Sequence, residues 1–291
     1  MQLGIVTPVV TLLPRAHGRW ERDAELEAIT AVAEDADRLG YHHLTCSEHV
    51  AVPREVAEVR GARYWDPLAT FGYLAARTTR IRLATHVLVL GYHHPLEIAK
   101  RYGTLDRVCG GRLILGVGVG SLREEFELLG ARFDDRGARA DDALRALRAS
   151  LSQREPAYEG DHYRYDGFVV DPWSRQEQVP IWVGGRTARS LRRAVELADG
   201  WTPFGLAPDA LRSMLVRARG SAAWQRRTTP LDIVLSPERA LDPVGDPEGA
   251  RRLAGELVDV GATLLNLRFV SHSLVHYREQ LDAMSDLGSR L

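Results

Sequence analysis

The chain has a single lysine, Lys100, among its 38 basic residues. That scarcity removes whole classes of chemistry, because a pyridoxal-phosphate enzyme or a Schiff-base aldolase needs a lysine amine at its reacting carbon. Lys100 also falls in mid-helix, where a solvated side chain is the simpler reading. Cysteine is nearly as scarce: Cys46 and Cys109 have no neighbouring cysteine with which to build a metal or redox motif. No segment approaches the roughly 18 to 20 consecutive apolar residues that a membrane span requires. The opening MQLGIVTPVV enters a strand pattern rather than a signal peptide, so a cytoplasmic protein with no membrane partner is expected. An excess of either charge is also missing. The 38 basic residues face 39 acidic ones, a net charge of -1, which leaves no global field to favour nucleic acid.

What is present is an ordinary globular composition, 45% hydrophobic and 26% charged. Short apolar β-type runs alternate with longer segments of helical period, the pattern of βα repeats around a parallel sheet. The spacing predicts strands at LGIVTPV (3 to 9), HLTCSEH (43 to 49), IRLATHVLVL (81 to 90) and RLILGVGVG (112 to 120). Four more follow at PIWVGG (180 to 185), GWTPFG (200 to 205), LDIVLSP (231 to 237) and ATLLNLRF (262 to 269). Helices are expected over about 23–39, 66–77, 95–108, 123–152 in two segments, and 188–198, with one after each later strand. Between about 153 and 179 the period changes, and YEGDHYRYDGFVVDP reads as a hairpin excursion. Eight βα units with no Pro/Gly/Ser-rich linker predict one α/β domain over 1–291, a TIM (β/α)8 barrel with a hairpin insertion between the fourth and fifth strands.

In that fold chemistry gathers at the C-terminal ends of the strands, which selects a few stretches. SEH sets Glu48 beside His49, and a carboxylate near an imidazole suits acid–base work at neutral pH. Adjacent strand residues point to opposite faces, so the pair need not act on one atom, and capping a loop is the alternative. GVGVG (116 to 120), followed by Ser121, Glu124 and Glu125, allows a flat ligand or phosphate close to the backbone, or simply lets a strand turn into its helix. VGGRTARS (183 to 190) puts two glycines, Arg186 and the Thr187 hydroxyl at a helix start, where a phosphate would dock. The pairs His42–His43 and His93–His94 are sequence neighbours that do not converge easily on one ion, so no metal is expected.

Together these residues resemble the luciferase-like monooxygenase superfamily, in the branch that uses coenzyme F420, an 8-hydroxy-5-deazaflavin. The resemblance spans nearly the whole chain and is most specific over Val87 to Gly130, with support from Pro180 to Trp201 and from the aromatic hairpin. It implies that Glu48 and His49 approach the cofactor ring, with His49 handling the proton. It also implies a non-proline cis peptide between His86 and Val87, backing the ring together with Leu88. Gly118, Gly120 and Glu124 match cofactor-lining positions, and Gly184, Gly185, Arg186 and Thr187 match the phosphate corner. Two positions depart from the family pattern: His86 stands where a small residue is usual, and Gly91 where proline is usual.

The resemblance thus implies an F420-dependent oxidoreductase that moves a hydride between the deazaflavin and a small organic substrate, at a C=C, C=N or alcohol/carbonyl group. Tyr64, Trp65, Tyr92 and the 158–168 hairpin are expected to wall that substrate. The rival readings are an FMN-dependent two-component monooxygenase, with a separate reductase supplying reduced cofactor, and a non-catalytic flavin-binding member of the fold. A metal-dependent barrel hydrolase is the remaining one. A homodimer packed through helices near the second and third strands is implied as well.

Overall fold

In the computed structural model, which describes residues 1–14 and 16–288, the short apolar runs become strands and the 3.6-period segments become helices. In chain order these are β1 (Gln2–Val6), α1 (Leu26–Arg38), β2 (His43–Cys46), α2 (Arg54–Arg60), α3 (Pro67–Arg77), β3 (Arg82–Thr85) and β4 (Leu88–Val89). Then come α4 (Pro95–Val108), β5 (Leu113–Gly118), α5 (Arg123–Leu128), α6 (Arg136–Ser150) and the hairpin strands β6 (Tyr158–Glu159) and β7 (Arg164–Tyr165). The chain continues through β8 (Ile181–Gly184), α7 (Ala188–Leu197), β9 (Gly200–Thr202), α8 (Pro208–Arg219), α9 (Ala222–Gln225), β10 (Asp232–Leu235), α10 (Pro247–Val260), β11 (Leu264–Leu267) and α11 (Leu274–Gly288).

Eight strands close a parallel ring in the order β1, β2, β3, β5, β8, β9, β10, β11, and β11 pairs back onto β1 with Gln2 opposite Leu264. Two shells of packing follow from strand alternation. Side chains pointing outward, such as Ile5, Leu44, Leu83 and Leu115, join the helices in the main core. Those pointing inward include Ala84, Ile114, Trp182, Val234 and Leu264, which fill the barrel as a separate cluster, the layered interior of this fold. Helix starts are set by local chemistry: Asp66 and Asp246 accept the Ala69 and Gly249 amides, each followed by a proline at the first helical position.

The expected strands and the observed ones agree in number and order but not in length. Where β1, β2 and β9 were expected to reach residues 9, 49 and 205, ladder bonding stops at Val6, Cys46 and Thr202. The chain turns out of the barrel there, and Pro8 and Pro203 bring no N–H to a ladder. The third strand divides. β3 ends at Thr85, a cis peptide joins His86 to Val87, and β4 resumes outside the ring, with Leu88 opposite Val117 and Val89 opposite Gly118. Residues expected as loop after β2 contain α2 instead. The insertion is a hairpin, β6 antiparallel to β7, with Tyr158 opposite Tyr165. Among the described residues no helix is long and apolar enough to cross a membrane.

Candidate active site at the barrel mouth

The floor of the mouth is built around Val87. An added Cβ on Gly118 would sit 2.7 Å from Val87 Cγ2, and one on Gly184 would sit 2.8 Å from Val87 Cγ1. These two glycines, on neighbouring strands, therefore make room for one stiff β-branched side chain. Gly120 takes φ 75°, which favours glycine at that turn. Leu88 is 1% exposed and packed in the helix-side core, so only Val87 of the expected ring-backing pair faces the opening. Replacing Gly184 with alanine is expected to cost about 1–3 kcal/mol of stability through overpacking. Val87→Ala should restore part of that loss in the double variant, a coupling that denaturant midpoints would measure.

Glu48 and His49 diverge. The buried Glu48 carboxylate accepts the Val89 amide at 2.7 Å through Oε2 and pairs with His93 Nε2 at 2.7 Å through Oε1. It clamps β4 and the start of α4 to the end of β2. Burial opposes the charged imidazole of His93, but the Glu48 and Glu97 carboxylates outweigh it and hold the ring above its ordinary value. His49 turns the other way. Its Nδ1 lies 2.6 Å from Glu125 Oε2, which also accepts the Tyr92 hydroxyl at 2.8 Å. Glu125 Oε1 takes the Val50 and Ala51 amides at 2.6 and 3.2 Å. Burial pushes the Glu125 carboxyl up, yet hydrogen bonds from His49 and Tyr92 win and hold it below the usual range, so it is an anion at neutral pH. The His49 side chain is 19% exposed while that of Glu125 is 0%, and the tautomer with Nδ1–H toward Glu125 leaves Nε2 free to accept a proton. The Tyr64 ring meets His49 edge-on at 4.5 Å, and Tyr92 meets Phe126 at 4.8 Å. Trp65 is fixed by its backbone, its amide donating to Val10 and its carbonyl accepting the Cys46 thiol, and its ring packs against the core.

His86 lies beside this floor, its Nε2 2.9 Å from Thr202 Oγ1 across the barrel. Burial, with the Arg268 cation as a second cause, brings its imidazole down to about 4, so it is neutral under ordinary conditions. It is a wall of the mouth that carries a hydrogen bond and no charge.

At the end of β8, Gly185 adopts φ 117°, and Arg186, Thr187, Ala188 and Arg189 are exposed at the start of α7. Thr187 caps that helix by accepting the Ser190 amide at 3.2 Å, and its own hydroxyl proton stays available to a phosphate. The first amides of the helix point the same way, and the Arg186 guanidinium rests 5.9 Å over Phe204. Glu124, expected at the cofactor, is exposed on α5; the buried carboxylate is its neighbour Glu125. Leu122, Glu125, Phe126 and Leu129 share one helical face by their three- and four-residue spacing, and that periodicity is the signal that selects Glu125 over Glu124. The 158–168 hairpin is pinned to α6, where Asp142 accepts the Tyr158 hydroxyl and the His162 and Tyr163 amides, and to His94 through Tyr163 and Tyr165. A cavity of about 640 Å³ at the opposite end of the barrel, between the ends of α6 and α7, is far from these strand termini.

The mouth therefore joins an apolar floor around Val87, a histidine on a buried carboxylate and a cationic, amide-rich corner at the ends of the barrel strands. The sequence profile of the luciferase-like monooxygenase family matches residues 1–287, and the chain belongs to that family. An uncharacterised protein of Mycobacterium tuberculosis is 30% identical over 214 residues, covering 69% of this chain and 74% of its own. Monooxygenase RslO1 from Streptomyces bottropensis superposes with a TM-score of 0.81 at 23% identity, over 100% of both chains. An F420-dependent secondary alcohol dehydrogenase, solved with an F420-acetone adduct, superposes with a TM-score of 0.77 at 14% identity, over 98% of this chain and 97% of that one. These two likenesses are of fold.

Proposed function

We propose that this chain is an F420-dependent oxidoreductase acting on a small organic substrate. The observation that carries the reading is the His49–Glu125–Tyr92 network at the edge of the Val87 floor. When bound, the deazaflavin supplies a two-electron hydride acceptor or donor at a carbon centre. The chain's residues fit such a group: Val87, with no side chain on Gly118 or Gly184 beside it, offers a flat apolar backing. Arg186, the Thr187 hydroxyl and the α7 amides offer donors to a phosphate. His49 gives or takes, through Nε2, the proton that must accompany the hydride at a carbonyl or alcohol. Glu125 orients the imidazole and stabilises it when charged, and Tyr64 and Tyr92 flank it. Glu48 holds the floor in place through Val89 and His93.

An FMN-dependent monooxygenase, fed by a separate reductase, is the second reading, favoured by the match of residues 1–287 to the luciferase-like monooxygenase family. Fluorescence titration of the purified chain with F420 and with FMN separates the two. Micromolar F420 binding at least tenfold tighter than FMN is expected; the reverse order would replace the first reading by the second. Arg186→Ala should weaken the favoured cofactor while leaving thermal stability unchanged, since its guanidinium is exposed.

A further inference from the structure

A second polar site lies across the mouth from the phosphate corner. Between the ends of the adjacent strands β1 and β11, under the segment that follows β1, is a cavity of about 30 Å³. Its lining carries Arg268, Glu21, Thr7, Thr11 and Tyr277. Among the described residues the hydroxyls of Thr7, Thr11 and Tyr277 are buried with no hydrogen-bond partner. The Arg268 guanidinium, half-buried, likewise makes no hydrogen bond or ion pair there. Three unsatisfied buried hydroxyls and one unpaired guanidinium around a single void are costly to a folded protein, unless something polar occupies the space.

Charge and size identify the occupant. Glu21 does not neutralise Arg268 by contact, because its two oxygens are taken by the Val9 amide at 2.9 Å and the Gly18 amide at 2.6 Å. Burial, partly offset by those amides, also pushes its carboxyl up. The net demand of the lining is for an acceptor carrying negative charge. A void needs on the order of 10–15 Å³ to hold one water, so this one takes about two oxygen atoms and not a ring or a sugar. Two oxygens on one carbon are a carboxylate, which Arg receives in a planar fork.

We propose that Arg268, with Thr7, Thr11 and Tyr277, binds the carboxylate of the substrate, so that the substrates of this barrel are small carboxylic acids. The inference rests on the reading of the mouth as an active site. In an eight-strand ring the fifth strand, which ends in the Gly184–Thr187 corner, faces the first. Carboxylate and phosphate subsites therefore lie on opposite sides of the floor, and the rest of an anchored acid extends between them over Val87. Alternation along β11 places Leu264 and Asn266 toward the barrel axis, and Arg268 follows directly after the strand, its charge felt by His86 on the far side.

The test uses cofactor-free protein, so that its outcome is independent of which cofactor binds. Calorimetric titration with sodium acetate, at constant ionic strength, is compared with acetamide, its neutral isostere. Saturable acetate binding in the millimolar range, about 4 kcal/mol, is expected, with none for acetamide. Arg268→Met should weaken acetate at least tenfold, Thr7→Val severalfold and the distant surface variant Arg226→Met not at all. Should Arg268→Met fold poorly, Arg268→Lys keeps the charge and is expected to retain part of the affinity. Equal affinity for acetate and acetamide, equal acetate affinity in wild type and Arg268→Met, or no saturation by acetate would each overturn the proposal. None of these outcomes touches the F420 and FMN titrations.

Discussion

Turnover by the His49→Ala variant is expected to fall by about 10²- to 10⁴-fold, the usual contribution of one positioned acid–base group, while its affinity for the cofactor stays within twofold. The expectation follows from a division of labour in the mouth. Among the described residues the His49 ring hydrogen-bonds only through Nδ1, and its side chain is partly open. The floor and the Gly184–Thr187 corner depend on Val87, Gly118 and the start of α7, and among the described residues none of these shares a hydrogen bond or ring contact with His49. Glu125 acts through His49 and is a positioning residue, so Glu125→Gln should lower kcat with little change in KM. A structural role for Glu125 would add its effect to that of any other variant. A role exercised through the imidazole would not, and Glu125→Gln introduced into His49→Ala is expected to cost nothing further in kcat. Additive losses in the double variant, or turnover by His49→Ala equal to that of the wild type, would remove the pair from the mechanism.

The barrel was legible because burial imposes a period on sequence. Strands enclosed on both faces read as continuous apolar runs, helices covering them read at 3.6, and eight such alternations leave few alternatives. Strand ends were less legible, since hydrogen bonding in a barrel stops where the chain must turn outward, while burial continues past that point through Thr7 to Val9 and as far as Glu48. The cis peptide and the Gly184–Thr187 corner were reached through resemblance or local backbone chemistry, both of which are short-range in sequence. What escaped was long-range. Nothing near Glu48 announces that it will hold Val89 and His93, 41 and 45 residues away, nor near Glu125 that it will meet His49 across 76 residues. Arg268 and Thr202 are ordinary residues in strand-ending stretches until the ring closes and brings them opposite His86. A finer reading of helical phase would have found Glu125, and of strand alternation Arg268. The partners of Glu48 belong to tertiary structure alone.

Acid should destabilise this protein from pH 6.5 downward, before most carboxylates titrate, and His86 should account for a large share of the loss. Burial first, and Arg268 second, bring the folded imidazole from its ordinary 6.5 down to about 4. His42 is brought to a similar value by burial and Arg82, and the fully buried His43 lies well below 6.5. Between pH 6.5 and 4 the unfolded chain therefore binds protons at these rings that the folded chain refuses. Stability is fully present above the unfolded value, falls as pH drops through 6.5, and levels off below the folded value. For one ring moved from 6.5 to about 4, linkage gives a loss of roughly 2 kcal/mol by pH 5. His93 runs in the opposite sense: its raised folded value adds stability that is complete below 6.5 and fades as pH rises through that folded value. Denaturant unfolding of wild type and His86→Gln at pH 7.5 and pH 5 isolates the His86 share, because glutamine keeps a hydrogen-bonding group near Thr202 but cannot titrate. The variant is expected to lose roughly 2 kcal/mol less than wild type over that interval. An equal loss in the two proteins would mean that folded His86 takes up its proton as readily as the unfolded ring does, in spite of its burial. The mouth would then hold two cations, where this structure assigns the charge to Arg268 and leaves His86 a neutral wall of the pocket.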